Sequence, residues 1–151
     1  MNKSQLINSL RKQGFSEKIV NAFSKVKRED FVPIEFKESA YEDEPLPIGL
    51  GQTISQPYTI AFMLNLLELD NKLKTINTQK LKADEHETTR EERTDNKRLE
   101  KDNMKILEVG SGSGYVLALI NEINKNSKIF GIEIVESLAN RSKKVLGNYN
   151  N

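Results

Sequence analysis

Leu6, Ile7 and Leu10 fall on one face of a short helix that Gly14 is placed to end. Ser16 is suited to be the N-cap of a second helix, whose apolar stripe continues through Ile19, Val20, Phe23 and Val26. Residues 1–27 therefore read as two helices packed on something larger. From Arg28 to Gly51 the periodicity is lost. The run REDFVPIEFKESAYEDEPLPIGLG, rich in proline and glycine with scattered aromatics, predicts ordered loop with short extended pieces. Pro57 can take the first turn of a third helix, where its missing N–H is no loss. Ile60, Phe62, Met63, Leu64, Leu66, Leu67 and Leu69 make that helix apolar almost all round, which predicts burial.

Residues 71–104 break the pattern, with 17 charged side chains in 34 positions, nine basic and eight acidic, against six apolar ones. Such a segment adds little to a core. It reads as a flexible linker or a solvated helical excursion, because Glu87/Glu91 and Arg93/Lys97 have helical spacing but like charge. His86, the one histidine, lies inside this tract without a companion ligand and reads as a solvated side chain. Beyond the tract, KILEV (Lys105 to Val109) is a short apolar run that predicts a buried parallel strand. GSGSGYVLALINEINK then turns into a helix through Leu117, Leu119, Ile120 and Ile123, and IFGIEIV (Ile129 to Val135) predicts the next strand. The pattern is a βαβ unit.

Composition changes this picture little. The 151 residues are 36% apolar and 30% charged, enough for one domain with a core. Outside residues 71–104 the charged share falls to about 24%, near the globular norm of roughly 25%. The net charge of +1 gives no field that would draw the chain to nucleic acid or to an anionic membrane. With no cysteine, disulfides, thiolate metal sites and a cysteine nucleophile are excluded, and a cytoplasmic location is expected. MNKSQLINSLRKQ has no apolar run of signal-peptide kind, and no segment reaches the length of a membrane span.

Gly110, Gly112 and Gly114, between a strand and a helix, allow close approach of backbone to a nucleotide-like ligand facing helix N-terminal N–H groups. Glu133 follows about 19 residues beyond Gly114, at the end of the next strand, where a carboxylate can accept from both ribose hydroxyls. A dinucleotide fingerprint would need glycine where Tyr115 stands, and a phosphate-cradling loop would need G-K-[ST], so NAD, FAD and ATP are disfavoured. A bare strand-to-helix turn would use the same glycines, but the strand before, the helix after and Glu133 together favour ligand binding.

The spacing E-V-G-S-G-S-G, which includes Glu108 and Ser111, resembles motif I of class I methyltransferases that use S-adenosyl-L-methionine. With FVP at Phe31 to Pro33 and AYEDEPLPIGLGQTISQPY at Ala40 to Tyr58, the chain resembles the protein-L-isoaspartate (D-aspartate) O-methyltransferases over residues 1–70 and 105 to about 147. The resemblance implies an α/β fold with an N-terminal helical region and a Rossmann-like sheet. It implies S-adenosylmethionine-dependent methylation of the abnormal carboxyl group of isoaspartyl or D-aspartyl residues in damaged proteins. It makes Ser55 the catalytic residue, with Gln52, Thr53 and Ile54 lining cofactor and substrate. Glu108, Gly110, Ser111, Gly112, Gly114 and Glu133 then surround the cofactor, and no metal is required. Ser55 stands two residues before Pro57, so it also suits the N-cap of the third helix.

Residues 1–70 thus form the helical and substrate-loop region, 71–104 a charged insertion, and 105–151 the start of the cofactor-binding domain. The sequence stops about 18 residues past Glu133, where the resembled family continues through further strands. The sheet is therefore expected to be incomplete, completed by a separate C-terminal-half polypeptide or left as a remnant. Three functions follow: the enzyme, a non-catalytic binding module, and, more weakly, a class I methyltransferase for another acceptor.

Overall fold

The computed structural model describes residues 1–67, 69 and 104–149; the charged insertion and His86 lie outside the described residues. Two amphipathic helices open the chain, α1 (Lys3–Lys12) and α2 (Glu17–Lys25), each with a satisfied N-terminus. Asn2 and Gln5 form a reciprocal capping box on α1, and the Ser16 side chain accepts from the Ile19 amide of α2. Gly14 takes φ +86 just after α1, where a left-handed residue turns the chain. Leu6, Leu10, Ile19, Val20 and Phe23 are buried as their spacing predicts.

The proline-rich stretch is the ordered loop with short extended pieces that its composition predicts. Two single 3₁₀ turns, Arg28–Asp30 and Ile34–Phe36, precede a hairpin of β1 (Leu46–Gly49) and β2 (Gln52–Ile54), paired Leu46 to Ile54 and Pro47 to Thr53. Its tip is left-handed through three successive residues, Gly49, Leu50 and Gly51, and Leu50 pays the steric cost that its neighbours avoid. Helix α3 (Pro57–Leu66) starts on Pro57 as expected. It is not buried all round: Ile60, Ala61 and Leu64 face the core, while Phe62, Met63, Leu66 and Leu67 are exposed. A helix apolar on every side needs neighbours on every side, and the described residues cover only one.

Strand β3 (Lys105–Val109) has the predicted bounds, and β4 (Lys128–Ile132) pairs with it in parallel, in register from Lys105–Lys128 to Val109–Ile132. Helices α4 (Tyr115–Ile123) and α5 (Glu136–Leu146) follow their strands, which completes the βαβ unit. The expectation that β3 is buried fails on one face. Leu107 (57%), Val109 (76%), Phe130 (51%) and Ile132 (53%) are exposed, whereas Ile106 and Ile129 turn toward the core. A parallel sheet is apolar on both faces only when layers cover both, and here the covered face is the one toward α4.

The helical region and the βαβ unit share one core. Phe23 and Phe31 pack on the ring of Tyr115, the first residue of α4. Lys25 pairs with Glu122, and Tyr149 donates to Asp30 at 2.6 Å while accepting from the Lys27 amide. Gly114 lies at φ +84, and a Cβ there would sit 3.0 Å from Leu146 Cδ1 and 3.2 Å from Ser142 Cβ. Gly114→Ala is therefore expected to destabilise the protein by about 1–3 kcal/mol, from left-handed strain plus overpacking, read as a lower urea midpoint with an unchanged slope.

Candidate functional site

Two pieces of chain meet to make the site: β2 with the start of α3, and the turn from β3 into α4. Gly110, Gly112 and Gly114 all have positive φ, so the turn reverses within a few residues. The Gly110 and Ser111 amides both donate to the Ile132 carbonyl, at 2.8 and 3.0 Å, which pins the turn to the end of β4. Glu133 completes the arrangement. Its Oε2 accepts from the Gly112 amide at 2.7 Å and its Oε1 from the Val135 amide at 2.9 Å. The Val135 and Gly112 N–H bonds hold the Glu133 carboxyl below its ordinary range. The group stays ionised at neutral pH, and each oxygen keeps a second lone pair directed elsewhere.

Thr53, Ile54, Ser55, Glu108, Gly110, Ser111 and Gly112 line one depression, together with Ile48, Ile60, Ser113 and Tyr115. Seven of the ten positions singled out from the sequence thus come together. Gln52 stands apart, paired with Gly49 at the exposed hairpin tip. Gly114 lies behind the turn against α5. Glu133 reaches the group through Gly112, and it also lines a larger cleft of about 390 Å³ between α4, β4 and α5. That cleft includes none of Thr53, Ser55 and Glu108, so the smaller depression is where the two sides of the site face each other.

Among the described residues Glu108 has the most perturbed carboxyl. Burial raises it from an ordinary value of 4.5 to about 7, and its Oε2 is buried without a hydrogen-bond partner among the described residues. A carboxylate left without a donor at the edge of a cleft suits a cationic or hydroxyl-bearing ligand.

Ser55 does not cap α3. The N-cap is Gln56, without a side-chain capping bond, and the Tyr58 amide donates instead to Asp43 Oδ1 at 2.8 Å. The Ser55 carbonyl accepts from Arg28 Nη2 at 3.1 Å. Arg28 was not anticipated from the sequence. It is wholly buried, and it also donates to the carbonyls of Ala40 (2.7 Å), Glu42 (3.2 Å) and Glu44 (3.0 Å). Desolvation lowers its pKa, with the nearby Tyr115, Asp43 and Glu44 opposing that shift. No local pattern marks an arginine whose partners are carbonyls 12 to 27 residues away.

Known proteins give this geometry its context. The sequence model described as protein-L-isoaspartate(D-aspartate) O-methyltransferase matches residues 1–78 and 94–151, which leaves out only part of the charged tract. A protein-L-isoaspartate O-methyltransferase of Petrotoga mobilis is 42% identical over 135 residues, covering 89% of this chain and 48% of the relative. One from Methanothrix thermoacetophila is 36% identical over 147 residues, 97% of this chain and 55% of the relative. The chain spans about half the length of the curated relatives it matches.

Among solved structures, a Plasmodium falciparum protein assigned to the protein-L-isoaspartate O-methyltransferases, in complex with S-adenosyl-L-homocysteine, superposes with a TM-score of 0.66 at 25% identity. It matches over 98% of this chain and 56% of its own. A second, named protein-L-isoaspartate O-methyltransferase, shares the fold with a TM-score of 0.68 at 22% identity, over 97% of this chain and 38% of its own. The family model covers all but residues 79–93, and the chain belongs to the protein-L-isoaspartate(D-aspartate) O-methyltransferase family.

Proposed function

We propose that the chain takes part in S-adenosyl-L-methionine-dependent methylation of the carboxyl group of L-isoaspartyl or D-aspartyl residues in damaged proteins. The observation that carries this reading is the meeting of Thr53, Ile54 and Ser55 with Glu108 and the Gly110–Gly112 turn around one depression. Residues 1–70 supply the acceptor side and residues 105–151 the cofactor side. A non-catalytic module would have no need of that juxtaposition.

The residues fit the cofactor on three observations. The positive-φ glycine turn leaves Gly110 open to close approach, with no atom within 4 Å of a Cβ placed there. Glu133 offers an ionised carboxylate for ribose hydroxyls, and Glu108 an unpaired one. Gly110, Ser111 and Gly112 would hold the cofactor, with Gly114 allowing the turn and Gln52 flanking the acceptor side. When bound, the cofactor supplies a methyl group on a sulfonium. What this chain contributes is placement. The acceptor carboxylate is already ionised near neutral pH and needs no strong base, only an in-line approach to the methyl. Ser55, as catalytic residue, orients that carboxylate with one neutral hydrogen bond, since several charged donors would lower its nucleophilicity. Ile48, Ile54 and Ile60 keep water away, which favours a step in which two opposite charges neutralise.

The substrates in this reading are isoaspartyl-containing proteins or peptides, and nucleic acid and membranes are not partners. Among the described residues no helix is long and apolar enough to cross a membrane. The lack of cysteine accords with a cytoplasmic setting. A separate C-terminal-half polypeptide receives no support from the relatives, whose matches run through most of this chain.

Calorimetric titration with S-adenosylmethionine, coupled to methyl transfer onto an isoaspartyl peptide, tests the proposal directly; binding without transfer would leave only the binding module. Ser55→Ala is expected to lower kcat by about 10-fold or more, on the scale of a lost transition-state hydrogen bond, while changing cofactor affinity little. A raised pKa in the fold means that Glu108 favours folding when protonated, so this contribution is present below the unfolded value of 4.5 and is lost as pH rises through about 7. Glu108→Gln should therefore raise the melting temperature relative to wild type at pH 8.5 and bring little gain at pH 4.5. An equal effect at both pH values would show that the carboxyl is not desolvated.

A further inference from the structure

The hydroxyl on which the proposed reaction depends stands beside a competing use. A serine at an N-cap accepts from the amide of the second or third residue after it. For Ser55 the second is Pro57, which has no N–H, so the Tyr58 amide is the one donor available for capping. That donor is already taken. Asp43 Oδ1 accepts it at 2.8 Å across 15 residues of sequence, and the helix begins on Pro57 after an N-cap residue, Gln56, that makes no side-chain capping bond.

Asp43 is not a tethered side chain by accident of packing, since it is exposed and belongs to a loop. Its place is set by Arg28, which holds the carbonyls of Glu42 and Glu44 on either side of it and the carbonyl of Ser55 on the same guanidinium. One buried cation therefore fixes both the capping carboxylate and the main chain of the serine. We propose that Asp43 is a positioning residue: braced by Arg28, it occupies the Tyr58 amide that would otherwise bind the Ser55 hydroxyl, and so leaves that hydroxyl free for the acceptor carboxylate. The inference rests on the methyl-transfer reading for its consequence, but its structural content concerns which oxygen the Tyr58 amide meets.

The test compares Asp43→Ala, Asp43→Asn, Ser55→Ala and the Asp43→Ala/Ser55→Ala double variant. Asparagine keeps an acceptor oxygen in place; alanine does not. With an isoaspartyl peptide, Asp43→Ala should lower kcat by roughly 10-fold with S-adenosylhomocysteine affinity within two-fold, and Asp43→Asn should recover most of the loss. Adding Ser55→Ala to Asp43→Ala should then cost little, because the hydroxyl is already diverted; two sites that act independently would instead give additive losses. Wild-type activity for Asp43→Ala, or strict additivity, overturns the proposal. Amide exchange at Tyr58 reads the same competition without turnover. Protection should persist in Asp43→Ala, where Ser55 takes over, and fall in the double variant. Equal loss of protection in both would overturn the proposal. If the wild-type chain transfers no methyl, the functional reading fails by itself, and the exchange pattern still decides whether Asp43 keeps the hydroxyl free.

Discussion

A guanidinium ion removed from water is the constraint around which this structure is arranged. Burial of an unpaired ion costs several kcal/mol even after relaxation, and Arg28 is buried completely. The cost is offset by carbonyls rather than by a direct ion pair, with Asp43 and Glu44 acting through space. Because carbonyls are main-chain groups, pairing the two terminal nitrogens also shapes the chain, while Nε stays buried without a partner among the described residues. The loop through residues 40–44 has to curve around the guanidinium, and Ser55, two residues before α3, has to turn its carbonyl inward. A lysine could not serve equally, since its point charge lacks the planar fork that divides four acceptors between two nitrogens.

The glycine turn is organised by the opposite charge. Glu133 ties its own strand end to the glycine turn of the neighbouring strand, so the turn and β4 move as one piece. Arg141 of α5 donates to the Ile48 carbonyl of β1, which connects that piece to the hairpin. The site therefore depends on two networks anchored to backbone, one cationic beneath Ser55 and one anionic beneath the glycines. Side chains that face the depression, Thr53, Ser55 and Glu108, are left to interact with what enters it.

Local chemistry made the elements legible. Ser16 capped its helix, Pro57 began α3, and the KILEV run had the bounds of β3 because apolar periodicity, capping and proline act over a few residues. The glycine turn was equally plain, since glycine takes positive φ without steric cost and Gly110, Gly112 and Gly114 all do so. What sequence reading missed depends on distance along the chain. Asp43 displaced Ser55 as the group that meets the Tyr58 amide from 15 residues away, and nothing in SQPY records that competitor. Burial of α3 and of β3 was overestimated because apolarity states what a surface would prefer to touch, not whether the described residues supply a neighbour.

Tyr149 has a consequence for the order in which this protein can fold. Its hydroxyl bonds Asp30 and the Lys27 amide, its carbonyl accepts from Asn121, and its ring lies on Phe31. These contacts close loops of 119 and 122 residues, whose entropy has to be met before the contacts return anything. The first two helices leave the ribosome long before α4 and Tyr149 exist to receive them. At usual synthesis rates of roughly 5–20 residues per second, they wait for several seconds with their apolar faces unsatisfied, so consolidation of the core has to await synthesis of the segment through Tyr149.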